Sequence, residues 1–183
     1  MHVFLIYLIE FGILIGSLIS TINSPILVVI VGTALLDVFD FSATGQEASN
    51  AFNATIIMGG QIKGGPTRLF LIYPEGNFIE ATEDTPFFQI GEHKYGKPIL
   101  DRIIARETSL EDATKAVLVS MDSTLRSNLS VGMPLDLVVI PTDMFDFRVR
   151  TRIEADNEEF ARISQSWSAA LRKGFEDLPN VLG

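Results

Sequence analysis

Four groups of residues in this sequence carry side chains able to do chemistry. Glu92-His93-Lys94 sets a carboxylate, an imidazole and an amine side by side. Sequence neighbours seldom converge on one substrate atom, so a solvated turn is the expectation rather than an acid–base trio. Gly59-Gly60-Gln61-Ile62-Lys63-Gly64-Gly65 has the glycine content of a phosphate loop. It lacks the Gly-x-x-x-x-Gly-Lys-Ser/Thr spacing and leads into a strand instead of a helix, which predicts a tight turn. Arg148, Arg150 and Arg152 alternate with Val149 and Thr151 and suit an anion, an acidic neighbour in an oligomer, or a solvated strand face. Ser127, Asn128, Ser130 and Gly132 cluster at the end of a helical stretch, where short polar side chains cap the backbone.

Composition narrows the chemistry further. The chain has no cysteine, which excludes disulfides, thiolate catalysis and cysteine-ligated zinc. His2 and His93 are its only histidines, so a multi-histidine metal site within one chain is not expected. A formal net charge of -9 repels phosphate backbones and argues against nucleic acid as a partner. At 183 residues the chain is long enough for one domain with a sizeable core. Its hydrophobic content of 47% is that of a folded protein.

The charges divide the chain unevenly. The first basic residue is Lys63, and before it stand only Glu10, Asp37, Asp40 and Glu47. Residues 3–22 form an apolar run with Glu10 as its sole charge, about the length that a membrane-spanning helix needs. Asn23-Ser24-Pro25 breaks it, and residues 26–36 form a second run too short to span alone. Three readings of residues 1–40 stand side by side. They are a membrane anchor through residues 1–22, buried strands of a core, or a stretch from a misread gene start or shifted frame. Against the first, Glu10 lies mid-span and no basic residue flanks the run.

The elements that must position the candidate groups begin after residue 51. Ala54–Ile62 is β-branched and apolar, Arg68–Tyr73 follows a Gly-Gly-Pro turn, and Phe78–Ala81 follows Pro74-Glu75-Gly76-Asn77. The spacing predicts an antiparallel meander. Lys97-Pro98 opens a helix. Thr108-Ser109-Leu110-Glu111 reads as a capping box for a second, whose Leu110, Ala113, Val117, Met121 and Leu125 share one face. Gly132 and Pro134 bound a loop, Leu135–Ile140 is a strand, and Phe145–Ile153 alternates as a half-buried one. A last helix starts at Asp156, with Glu159 as an acidic capping partner. Phe160, Ile163, Trp167, Leu171, Phe175 and Leu178 form one continuous apolar stripe along it, which puts Trp167 in the core. Clustered strands and helices, rather than strict alternation, predict an α+β class.

The wording of several stretches resembles the bacterial proteasome-related Anbu family. These stretches are Phe52-Asn53-Ala54-Thr55, GGQIKG at 59–64, RLFLIYPEGNFIEA at 68–81 and TPFFQIGEHKYGKPILDR at 85–102. SLEDATKAVLVSMDSTLRSNLSVGMPLDL at 109–137 and the helix around Trp167 join them. The resemblance implies that residues 51–183 are the C-terminal part of a four-layer αββα N-terminal-nucleophile hydrolase sandwich. It implies a cytoplasmic, threonine-type peptidase subunit that uses no metal or cofactor and self-associates into a ring or helical homo-oligomer.

That class of chemistry needs a Thr or Ser whose own amine activates its hydroxyl, with a Lys and an Asp beside it. Gly32-Thr33 resembles the bond cut in proteasome precursors, but counting onward places Ser49 and Gly65 where the Asp and Lys belong. Lys63 belongs to the matched GGQIKG turn. The catalytic triplet is therefore not identifiable, and the chain as written is expected to be inactive. What the resemblance leaves is a supporting loop. In related subunits an Asp-x-x-Ser-Gly stretch lies beside the nucleophile's amine; here Ser130 matches the Ser, Ser127 stands where the Asp would be, and Asn128 and Gly132 complete the loop. The competing reading is a non-catalytic, membrane-tethered or assembly-modulating protein built on the same half-fold.

Overall fold

The computed structural model describes residues 4–8, 55–144 and 148–181. In chain order the elements are β1 (Phe4–Leu8), β2 (Ile56–Gln61), β3 (Thr67–Ile72), β4 (Phe78–Glu80), α1 (Lys97–Ile103), α2 (Leu110–Ser127), β5 (Leu135–Ile140), β6 (Val149–Ile153) and α3 (Glu158–Glu176). The class is α+β, as the clustering of strands and helices predicts.

Among the described residues, two three-stranded antiparallel sheets carry the strands. One has the order β2-β3-β4 and is the expected meander, with Ile56 opposite Ile72 and Ile72 opposite Phe78. Gly76, with φ +80, turns the chain between β3 and β4, a conformation that costs a side chain with a Cβ. Strand β3 is the buried centre of this sheet. Phe70 and Ile72 pack with Ile56, Met58 and Phe78, and the rings of Phe70 and Phe78 meet edge to face at 5.8 Å. On the same face Arg68 lies over the Phe70 ring at 5.0 Å and grips Glu80 with two hydrogen bonds, from Nε at 2.7 Å and from the terminal nitrogen at 2.6 Å.

The second sheet has the order β1-β5-β6. The apolar run of residues 3–22 therefore opens as a strand: Phe4 lies opposite Ile140 and Leu8 opposite Asp136. Phe-Leu-Ile-Tyr-Leu is rich in residues that fit a pleated sheet, and β5 offers it a long-range partner that a sequence window cannot see. No helix among the described residues is long and apolar enough to cross a membrane. Residues 9–54, which hold the rest of that run, the second run and Gly32-Thr33, lie outside the described residues.

Helix α1 opens at Lys97 as expected, whereas the caps of α2 and α3 fall one residue later than the spacing predicts. Helix α2 is capped by Ser109, whose Oγ accepts from the Asp112 amide at 3.0 Å and donates to its carboxylate at 2.8 Å. Thr108, the expected cap, accepts instead from the Ala105 amide and donates to the Ile103 carbonyl, closing the α1–α2 turn. Two neighbouring hydroxyls compete for one role, and the turn geometry assigns it to the second. Likewise Asn157, not Asp156, caps α3 by accepting from the Phe160 amide at 2.8 Å.

The predicted face of α2 is the buried one. Ala116 and Val117 pack with Leu100 of α1, and Met121 packs with Leu135 of β5 and Ile153 of β6. The start of α1 approaches α2 so closely that a Cβ on Gly96 would collide with Ser120 Oγ. Strand β6 begins at Val149; residues 145–147 of the expected longer strand lie outside the described residues. The stripe of α3 is not continuous core. Phe160 packs into the Met121 cluster, and Ile163 and Trp167 are half-buried, but Leu171, Phe175 and Leu178 are exposed. The first half of the helix packs on α2, and its second half reaches beyond that contact.

Candidate functional site

The Ser127–Gly132 stretch forms the end of α2 and the loop that follows it. Ser127 is the last helical residue and is exposed. Asn128 is the C-cap, its amide donating to the Thr124 carbonyl at 2.9 Å. An extended conformation at Asn128 ends the helix and turns its side chain back over the loop.

That side chain is the hub of the site. Its Oδ1 accepts from the Ser130 amide at 2.8 Å and from Ser130 Oγ at 2.7 Å. Its Nδ2 donates to Glu92 Oε2 at 2.9 Å. The network fixes which end is which: the Ser130 amide can only donate, and a carboxylate can only accept. Glu92 Oε1 in turn accepts weakly from the Lys94 amide at 3.4 Å. The structure thus brings Glu92, Asn128 and Ser130 into one hydrogen-bonded row.

The other predicted site residues are arranged around this row. Ser130 and Gly132 are exposed, and Val131 closes the loop through its amide to the Asn128 carbonyl at 3.3 Å. Below the loop, Arg126 ties two helices together. Its Nε donates to both oxygens of Asp122 at 3.1 Å, and its terminal nitrogen donates to Ser164 Oγ of α3 at 2.6 Å. Asp122 is buried, so this guanidinium neutralises a carboxylate that water does not reach.

Sequence spacing did not reveal the role of Glu92. As part of Glu92-His93-Lys94 it reads as a turn residue, and His93 does stay exposed, its Nδ1 3.1 Å from the Gly91 carbonyl. Glu92 alone turns inward to the loop, across 36 residues of sequence. The trio therefore does not converge. Nothing within residues 90–95 marks Glu92 as the member that is used. Lys63 lies in the β2–β3 turn and is exposed.

The chemistry open to the row follows from its protons. Ser130 gives its hydroxyl proton to Asn128, which leaves the oxygen lone pairs of Ser130 for a donor from outside. A protonated amine set against Ser130 Oγ would find an acceptor already oriented. Among the described residues no three of His, Cys, Asp and Glu gather in a group that could hold a metal ion. A separate cavity of about 280 Å³ lies between β3, β4 and the two helices α1 and α2. Leu69, Phe87, Leu100, Ile104 and Val117 give it an apolar wall, with Arg106 and Glu83 paired at its rim. None of Ser127, Asn128, Ser130 and Gly132 lines it.

The fold has clear counterparts among solved structures. The Anbu (ancestral beta-subunit) of Yersinia bercovieri is 46% identical, with a TM-score of 0.83 over 91% of this chain and 69% of that one. The chain belongs to the Anbu family. Anbu from Hyphomicrobium sp. strain MC1 is 50% identical, with a TM-score of 0.80 over 93% of this chain and 70% of its own length. A helical assembly of the Anbu complex from Pseudomonas aeruginosa is 45% identical, with a TM-score of 0.82 over 90% of this chain and 68% of the relative. No protein-family model and no curated protein matches. The sheets and helices of the described residues are thus part of the N-terminal-nucleophile hydrolase type of fold, and the chain spans about seven-tenths of an Anbu subunit.

Proposed function

We propose that this chain is a proteasome-like Anbu subunit of the threonine-peptidase class. Its Ser127–Gly132 loop would support the amine of a nucleophile during peptide-bond hydrolysis. The observation that carries this reading is the Glu92–Asn128–Ser130 row. It holds the Ser130 oxygen as an acceptor at the place where the family resemblance sets a serine beside the nucleophile's amine. Asn128 and Glu92 act as positioning residues in this scheme, and Ser130 is the group that meets the amine. Ser127 occupies the end of the helix where the family's Asp stands. No metal or cofactor enters the reaction.

Residues 1–183 by themselves are proposed not to cleave peptides. Counting from Gly32-Thr33 puts Ser49 and Gly65, which are neither acid nor amine, where the class needs an Asp and a Lys. The subunit works in the cytoplasm and joins copies of itself in a ring or helical assembly, as the Pseudomonas aeruginosa relative does in its helical form.

The deciding measurement is the intact mass and N-terminal sequence of the protein from its native cells, followed by hydrolysis of a fluorogenic peptide library. A chain starting at Met1 or His2 is expected to show no turnover. A chain starting with Thr or Ser is expected to be active and to lose activity with Ser130→Ala. Cleavage by the Met1 form, indifferent to Ser130→Ala, overturns the assignment.

A further inference from the structure

The cavity between β3, β4, α1 and α2 has no part in the reading above. Side chains of β3 alternate, so Phe70 and Ile72 turn to their own cluster while Thr67 and Leu69 line the cavity from the opposite face. Leu100 of α1, with Ala113 and Val117 of α2, closes the space from the helical side, and Phe87 walls its flank. The volume is about 280 Å³. That is roughly twice the volume of an apolar cavity that takes benzene.

Two polar atoms on this wall are without a partner. Thr67 is 6% exposed, and its Oγ1 makes no hydrogen bond among the described residues. Gln89 Oε1 is buried in the same condition. Buried polar atoms are almost always paired, because an unpaired one has given up its water for nothing. Two of them on one apolar cavity mark it as a place built to hold a polar group.

We propose that this cavity binds a small neutral molecule with an aromatic or branched apolar body and one hydroxyl or primary amide end. The body follows from the wall of Leu69, Phe87, Leu100 and Val117. The polar end follows from the two atoms. Gln89 Oε1 can only accept, and Thr67 Oγ1 can donate or accept, so the matching group must supply a proton and can take one. Neutrality follows from the rim. Arg68 is held by Glu80 at 2.6 Å and Arg106 by Glu83, so each guanidinium there already has its carboxylate. A charged ligand would leave water without a counter-charge to meet it. The cavity shares no residue with the Glu92–Asn128–Ser130 row, so its occupancy is independent of whether the chain cleaves peptides.

The test is calorimetric titration of the full chain with 2-naphthol, which joins a two-ring body to one hydroxyl, and with 2-naphthoate, its charged counterpart. 2-Naphthol is expected to bind one to one with a Kd under about 1 mM, and 2-naphthoate at least about tenfold more weakly. Thr67→Val keeps the shape and removes the hydroxyl. It is expected to weaken 2-naphthol about three- to tenfold and to raise the thermal midpoint of the free chain, because an unpaired buried hydroxyl is gone. Ala113→Leu fills the cavity from α2 and is expected to abolish binding; Thr67→Val decides the matter by itself if the larger side chain is not accommodated. Absence of saturable binding to the wild-type chain overturns the proposal. So does 2-naphthoate binding as tightly as 2-naphthol, or affinity indifferent to Thr67→Val. A Thr67→Val chain with a lowered midpoint shows that the hydroxyl was already satisfied, and overturns it as well.

Discussion

Asn128 Nδ2 donates to Glu92 Oε2 at 2.9 Å, joining the C-cap of α2 to a turn 36 residues earlier in the chain. The same amide receives two hydrogen bonds from Ser130. One neutral side chain thus satisfies a carboxylate, a backbone amide and a hydroxyl, and no other residue type of its length offers donors at one end and an acceptor at the other.

Asn128→Asp removes the donor and sets a carboxylate against Glu92. At neutral pH it is expected to cost about 1–3 kcal/mol of stability, more than Asn128→Ala, because a charged group loses its partner and gains a repulsion. Urea midpoints of the two variants, with unchanged slope, check the order.

Arg68 and Glu80 predict a pH dependence of known sign. The hydrogen bond from the guanidinium, more than its charge, holds the Glu80 carboxyl below its ordinary value of 4.5. A depressed folded value means that the pair's contribution is fully present above the unfolded value and is lost as pH falls through the folded one. Both side chains are partly exposed, so the contribution is under about 1 kcal/mol. Glu80→Gln is expected to be less stable than wild type by that amount at neutral pH and equal to it in strong acid, by parallel urea titrations.

Arg126 neutralises Asp122, which is 5% exposed, and hydrogen-bonds Ser164. Arg126→Met strands the carboxylate in the interface of α2 and α3, at a cost of about 2 kcal/mol. Combining it with Asp122→Asn is expected to recover a large part. A double variant no better than the single one refutes the neutralising role.

Gly96→Ala drives a methyl group into Ser120 Oγ and is expected to cost about 1–3 kcal/mol through overpacking of α1 on α2. Gly132→Ala has open space around it and is expected to change stability far less. Thermal unfolding of the two variants side by side separates a packing constraint from a general intolerance of alanine.

Much of this architecture was legible in local pattern. Leu135–Ile140 is the strand that its apolar run predicts, residue for residue, and the face of α2 built on Ala113, Val117 and Met121 is the buried one. The meander from Ile56 to Glu80 follows from β-branched runs punctuated by Gly and Pro. Helix starts shifted by one residue where two candidate caps adjoin, at Thr108-Ser109 and Asp156-Asn157.

The sequence by itself determined the class, the elements and the family, because periodicity and turn chemistry are local and the matched stretches are long. Tertiary structure alone decided three things. It paired Phe4–Leu8 with β5, turning the head of a membrane-length run into a strand. It drew Glu92 to Asn128 and left His93 in water. It covered the first half of the α3 stripe and left Leu171, Phe175 and Leu178 bare. Each depends on which distant surface arrives, and a residue's own neighbours in sequence carry no record of that arrival.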